Sequence, residues 1–217
     1  MKHQYSGGFG EVVVRPLEEG DIESLRVWRN EPSNTRYLSK VPFITPEMQK
    51  KWYENYLAND EELQFAICFK DSGELIGSAA LYDISLIDGE SGKHVSMADL
   101  RQAAEEKEAA YIGAASERVS GMRAELGKIM IGAPDAHGKH AGVSAVRAMV
   151  EIAFIDMGLR ELQLHVYVDN VPAVKVYRQA GFSVCDKHAA EDGREEYLMC
   201  IEKSAYAAER DGDLSHR

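Results

Sequence analysis

Gly127-Lys128-Ile129-Met130-Ile131-Gly132-Ala133-Pro134-Asp135-Ala136-His137-Gly138-Lys139-His140-Ala141-Gly142 is the stretch on which the reading of this chain turns. Ile129-Met130-Ile131 is a short apolar run of the kind that ends a strand. Gly132 and Pro134 mark a turn, and a glycine-bearing loop, Gly138 to Gly142, opens directly onto the amphipathic segment Val143 to Met157. Strand, glycine loop and helix start in that order build an anion site. The unpaired N–H groups at a helix N-terminus and the positive end of its dipole face a phosphate. Glycine lets the backbone come close. The plainer reading of the same residues is a tight turn into a core helix. Neither a Walker loop nor a G-x-G-x-x-G dinucleotide fingerprint fits the spacing.

The elements on either side follow from periodicity and punctuation. Downstream, Val146, Val150, Phe154 and Met157 share a helical face, and Gly158 is a left-handed cap. Leu162, Leu164, Val166 and Val168 alternate as a strand with one buried face. Asn170 caps a short helix with Pro172 in its first turn, and that helix stops at Gly181. Phe182 to Cys185 and Glu195 to Glu202 are the last two strands, and the tail beyond Ala205 is expected to be loose. Upstream, Glu11 to Leu17 is a β-branched strand, and Asp21 is expected to cap a helix ending near Asn30. Thr45-Pro46 starts a second helix whose Trp52, Tyr53 and Tyr56 are core contacts. Glu62 to Lys70 and Leu75 to Asp83 are strands joined at Asp71-Ser72-Gly73. From Ile84 to about Arg123 the composition turns polar and alanine-rich, with one helix expected over Ser96 to Ile112; this is a surface insertion. The order β-α-α-β-β-(insertion)-β-α-β-α-β-β defines an α/β layer with a mixed sheet, in one domain spanning residues 1–217.

Composition closes off several classes. Of 217 residues, 45% are hydrophobic and 28% charged, enough to build a core and too apolar for wholesale disorder. A net charge of -11 argues against a general nucleic-acid binder, whose phosphate contacts need a basic face. No apolar run reaches the roughly 18 residues of a membrane span, and MKHQYSGGFG lacks the apolar centre of a signal peptide. Cys68, Cys185 and Cys200 lack C-x-x-C spacing, which points to thiols in a reducing cytoplasm. The seven histidines show no zinc-type spacing, so no metal is expected.

His137-Gly138-Lys139-His140-Ala141-Gly142 resembles the pyrophosphate loop of the GNAT superfamily of acyl-CoA-dependent N-acetyltransferases, Arg/Gln-x-x-Gly-x-Gly/Ala, with His137 and His140 departing from it. Asn170-Val171-Pro172-Ala173, followed by Tyr177, Gly181 and Phe182, resembles the family's Asn-x-x-Ala…Tyr-x-x-x-Gly-Phe signature at every anchor. Trp28-Arg29-Asn30 and Ile44-Thr45-Pro46-Glu47 are similar to the RimJ/RimL-like branch, which acts on ribosomal proteins and amino sugars. The resemblance implies a mostly antiparallel central sheet flanked by helices, with a splayed strand pair at an acetyl-CoA site. It implies that backbone groups of Ile129, Met130 and Ile131 pair with pantetheine, and that Gly138, Lys139, His140, Ala141 and Gly142 take the diphosphate beside His137. Asn170 and Ala173 would position the cofactor, and Tyr177 would protonate the leaving thiolate. Glu125 is the first candidate for proton acceptor from the amine, with His165 and Tyr167 in reserve, and Arg29, Asn30 and Tyr37 would line the acceptor side. The acceptor is a primary amine, on a protein N-terminus or a small molecule, and the protein is expected to be a monomer or homodimer in the cytoplasm. Two rival readings stand beside it: a non-catalytic acyl-CoA-binding module of the same fold, and a structural domain working through the insertion.

Overall fold

Strand β6 (Val119–Ile131) is the axis on which the sheet is assembled. The computed structural model describes residues 3–37, 42–59, 61–90, 94–96 and 119–214, with side chains up to 208. On one side β6 pairs antiparallel with β4 (Leu75–Asp88), which pairs with β3 (Glu62–Phe69), then β2 (Val12–Pro16) and β1 (Gly7–Phe9). On its other side β6 meets β7 (Glu161–Tyr167) in parallel, followed by β9 (Glu195–Glu202) and the edge strand β8 (Ser183–Ala189). A short β5 (His94–Ser96) pairs with the far end of β4. This parallel contact requires a crossover, and α4 (Ala141–Glu151), extended by a π-helical turn at Ile152–Asp156, supplies it.

Helices cover both faces. Val146, Met149, Val150 and Phe154 of the crossover are fully buried against Phe65, Leu126, Leu162 and Leu164. The apolar stripe at Val146, Val150 and Phe154 is therefore the buried face, as its spacing requires. On the opposite face α1 (Ile22–Asn30) and α3 (Pro46–Ala58) bring Leu25, Tyr53 and Tyr56 down on Ala66, Cys68 and Met130. A four-residue helix α2 (Pro32–Thr35) follows α1. After β7 comes α5 (Val171–Gln179), and α6 (Lys203–Leu214) closes the described chain. No helix among the described residues is long and apolar enough to cross a membrane.

Four expectations need correction. Asp21 sits at the start of α1 but makes no side-chain cap there. Its carboxylate instead accepts from both Arg15 guanidinium nitrogens, at 2.7 and 2.8 Å, and from the Glu18 amide at 2.9 Å. The tail is helical rather than loose, and Tyr206 packs on Phe154 with ring centroids 5.5 Å apart. β8 runs to Ala189, four residues beyond the expected end. Residues 84–88 and 119–123 belong to the paired strands β4 and β6, so the sheet continues into both ends of the segment assigned to the insertion. The helix expected over Ser96 to Ile112 lies outside the described residues, apart from Ser96 at the end of β5.

Candidate active site

The site begins with two bulges in the β4–β6 ladder. Tyr82 faces Glu125 in register, but Ala80 faces Gly127 and Ser78 faces Met130, so Lys128 and Ile129 share the space opposite Ala79. Lys128 takes a left-handed conformation, φ 53°, that inserts the extra residue and bends the strand. Asp83, φ 49°, does the same one step away on β4. Bent this way, β6 stays beside β7 only from Arg123 to Glu125, opposite Glu161 to Gln163. Beyond those pairs the strands separate. The edge of β6 from Leu126 and that of β7 from Leu164 are left without each other, and a cavity of about 950 Å³ opens between them.

The glycine loop lines it. Gly138 has φ 79° and His140 φ 56°, so the fourth position of the loop adopts the backbone that glycine takes most readily, although a histidine occupies it. Among the described residues no side chain caps α4, which leaves its first N–H groups open to a ligand. The His137 ring turns back to the Ile131 carbonyl at 2.9 Å; a carbonyl only accepts, so Nε2 carries the proton. Gly138, His140, Ala141 and Gly142 line the cavity together with Ile129, Met130 and Ile131. Lys139 does not: its ammonium lies over the Phe69 ring, 5.3 Å from the centroid, and its backbone N–H donates to the Ala136 carbonyl at 3.4 Å.

Helix α5 closes the other wall. Asn170 accepts from the Ala173 amide at 3.3 Å, the cap its position in the sequence requires, and both residues line the cavity. Gly181, φ 97°, ends the segment and lets buried Phe182 pack edge-on against Tyr177, 6.2 Å between centroids. The Tyr177 hydroxyl has no hydrogen-bond partner among the described residues, and burial pushes its pKa up to about 12. It is a neutral, proton-bearing group on the cavity wall.

Glu125 also lines the cavity. Tyr82 donates to its Oε1 at 2.6 Å, and His165 Nε2 lies 3.9 Å from its Oε2. Burial, reinforced by this carboxylate, raises the Tyr82 pKa, so its phenol stays a donor. The contact depends on Gly127, since a Cβ there would lie 2.5 Å from the Tyr82 hydroxyl. Tyr82 has no signature in the sequence. Its role comes from a cross-strand register between residues 43 positions apart.

The acceptor-side residues divide. Arg29 and Tyr37 line the cavity. The Arg29 Nε is buried without a partner among the described residues, and burial lowers the guanidinium pKa against the pull of Glu62. Tyr37 donates to the Asp169 carbonyl at 3.3 Å, bridging toward α5. Asn30 is corrected: it does not line the cavity, and its amide pairs twice with the Ile44 backbone, at 2.9 and 2.8 Å. It fixes the chain leading into α3. His165 and Tyr167 both reach the cavity, with Tyr167 donating to Asp192 at 3.2 Å.

A splayed strand pair, an uncapped glycine loop and a phenol on the far wall define an acyl-CoA-type site, and the sequence matches accordingly. The Acetyltransferase (GNAT) domain matches residues 11–183, and the chain belongs to that family. Membership carries the family's chemistry, acetyl transfer from acetyl-CoA to an amine. The spermidine N(1)-acetyltransferase of Escherichia coli is 25% identical over 203 residues, covering 91% of this chain and 89% of that protein. The spermidine N-acetyltransferase of Vibrio cholerae, solved with CoA and spermine, superposes with a TM-score of 0.66 at 22% identity over 91% of this chain and 98% of that one. An aminoglycoside acetyltransferase solved with coenzyme A and kanamycin gives 0.64 at 20% identity, over 92% of this chain and 99% of that one. At such identity the solved structures speak for the fold alone. All of the expected mixed, mostly antiparallel architecture is present.

Proposed function

We propose that this chain is an acetyl-CoA-dependent N-acetyltransferase whose acceptor is a small polyamine, and that residues 1–217 form one catalytic domain carrying an inserted segment between β4 and β6. The single observation that carries the reading is the splay. One cavity holds a stretch of β6 that β7 leaves unpaired, the N–H groups at the start of α4, the Tyr177 hydroxyl, which has no partner among the described residues, and the Glu125 carboxylate. The loop from Gly138 to Gly142 takes the diphosphate, and the Ile129–Ile131 edge takes the pantetheine amides as an added strand would.

Glu125 removes a proton from the ammonium, directly or through water, and Tyr82 holds it in place. The amine nitrogen then attacks the thioester carbonyl, with no covalent enzyme intermediate. As the C–S bond breaks, Tyr177 gives its proton to the thiolate and regains one from the nitrogen, which sheds its second proton as the amide forms. Asn170 and Ala173 fix the start of α5 and hence the phenol. Arg29 and Tyr37 bound the acceptor side.

A polyamine is favoured by the curated Escherichia coli relative and by the net charge of -11. The Glu125 carboxylate on the cavity wall suits a cation. An amino sugar or a protein N-terminus, the acceptors of the RimJ/RimL-like branch, would fit the Trp28-Arg29-Asn30 resemblance instead. We place the protein in the cytoplasm on its three unpaired cysteines. The test is an acceptor panel of polyamines, aminoglycosides and short peptides, ranked by kcat/KM. Polyamines at the top support the proposal; a peptide at the top reassigns the acceptor.

A further inference from the structure

We propose that His165 Nδ1, His188 Nε2 and Glu196 Oε1 form a binding site for a divalent cation of the zinc type, beside the cavity that His165 and Glu196 line. The three residues come from three adjacent strands. Glu196 on β9 faces Tyr167 of β7 on one side and His188 of β8 on the other, and His165 lies two residues along β7 on the same face as Tyr167. Cross-strand neighbours of this kind bring side chains into contact without any local sequence spacing. The intervals of 23 and eight residues (165 to 188, 188 to 196) explain why no zinc pattern is visible in the sequence.

Both imidazoles hydrogen-bond the Glu196 carboxylate, so the three prospective ligand atoms already converge. His165 Nδ1 lies 3.2 Å from Glu196 Oε1, and His188 Nε2 lies 3.0 Å from the same oxygen. All three residues offer ligand atoms within 4.8 Å of one another. Ligands about 2.1 Å from a tetrahedral zinc are about 3.4 Å apart, so small side-chain adjustments suffice. The second observation is what stands behind each imidazole. The remaining nitrogen of His165 faces Glu125 at 3.9 Å, and that of His188 faces Asp186 at 3.7 Å. A carboxylate behind each ligating histidine, drawn from these ion-pair distances into hydrogen-bond range, would fix the tautomer and strengthen the ligand.

Charge points the same way. Three carboxylates surround two imidazoles, and among the described residues the only ion-pair partners of Glu125 and Glu196 are these two rings. A dication at the centre offsets the excess. The side chains are 17 to 37% exposed, which leaves an entry path and a coordination position for water. Ligation at Nδ1 leaves the proton of His165 on Nε2, pointed at Glu125. The cation would thus hold the Glu125 carboxylate as well as clamp β7, β9 and β8.

The test uses full-length, tag-free protein dialysed against chelator, titrated with Zn²⁺ by calorimetry and with Co²⁺ by visible absorption. One equivalent of Zn²⁺ per chain is expected, with cobalt bands of low coordination number. His188→Gln and Glu196→Gln should each weaken binding at least tenfold, and Asp186→Asn, which touches no cation, by about tenfold. Melting in chelator shows whether a variant is folded, and Zn²⁺ should raise the melting temperature of the wild type but not of His188→Gln. No binding, or binding unchanged in both ligand variants, overturns the proposal. Because the readout is metal binding, its failure leaves the acetyltransferase assignment untouched.

Discussion

Replacing Tyr177 by phenylalanine separates chemistry from stability. Phenylalanine keeps the ring against Phe182 and removes a hydroxyl that has no protein partner among the described residues. No hydrogen bond is lost, so the folding free energy should move by less than about 0.5 kcal/mol. The chemical step should suffer far more. A positioned proton donor contributes about 10²–10⁴-fold, and even the lower figure is about 2.7 kcal/mol of barrier. With its pKa pushed up to about 12, the phenol stays protonated through any ordinary assay, so the ratio of variant to wild type should be flat from neutral pH upward. The raised pKa also fixes the sign of its linkage to stability. The contribution is present below pH 10, the unfolded value, and lost as pH climbs toward about 12, so alkaline destabilisation should be shallower in the variant. Single-turnover thiol release with saturating acetyl-CoA, beside thermal melts, reads both. A rate within threefold of wild type would refute the role of Tyr177, and a loss of several kcal/mol in stability would show that its hydroxyl holds the fold.

Three further substitutions test the frame. His140→Gly should stabilise the protein by up to about 1 kcal/mol, since a histidine at φ 56° carries strain that glycine lacks; a lower melting temperature would contradict this. In Gly132→Ala the new Cβ would lie 2.3 to 2.5 Å from the Trp28 indole, so a loss of about 1–3 kcal/mol and a changed tryptophan emission are expected in urea titrations; an unaltered midpoint would mean the indole moves freely. Asp21→Ala removes the two Arg15 hydrogen bonds and the one from the Glu18 amide, leaving a partly exposed guanidinium that still donates to the Pro16 carbonyl, and should cost about 1–3 kcal/mol by equilibrium denaturation; a cost below about 0.5 kcal/mol would show the pair to be a surface contact.

What the sequence disclosed was local, and what it withheld was long-range. Asn170 names its own cap, Thr45 accepts from the Met48 amide at 3.3 Å, and Gly158 and Gly181 take the left-handed turns that end their helices. The β6–loop–α4 unit reads directly from Gly127 to Gly142. The bulge does not, because its pivot is a lysine, and no residue-type preference announces Lys128 in a left-handed conformation. Asp21 looks like a cap until Arg15 is folded beside it, and Asn30 looks like a site residue until Ile44 claims its amide. Lys139 has the right charge at the loop, yet the Phe69 ring draws its ammonium away. Tyr82, His188 and Glu196 acquire their meaning only from strand register, which pairs residues far apart in the chain.

The most direct test of the whole account is release of free CoA from acetyl-CoA, measured with and without spermidine. Release that requires the amine, matched one for one by acetylated spermidine in the mass spectrum, is the predicted result. Acetyl-CoA that binds tightly while no amine of a broad panel releases thiol would contradict it and leave a cofactor-binding module in place of an enzyme.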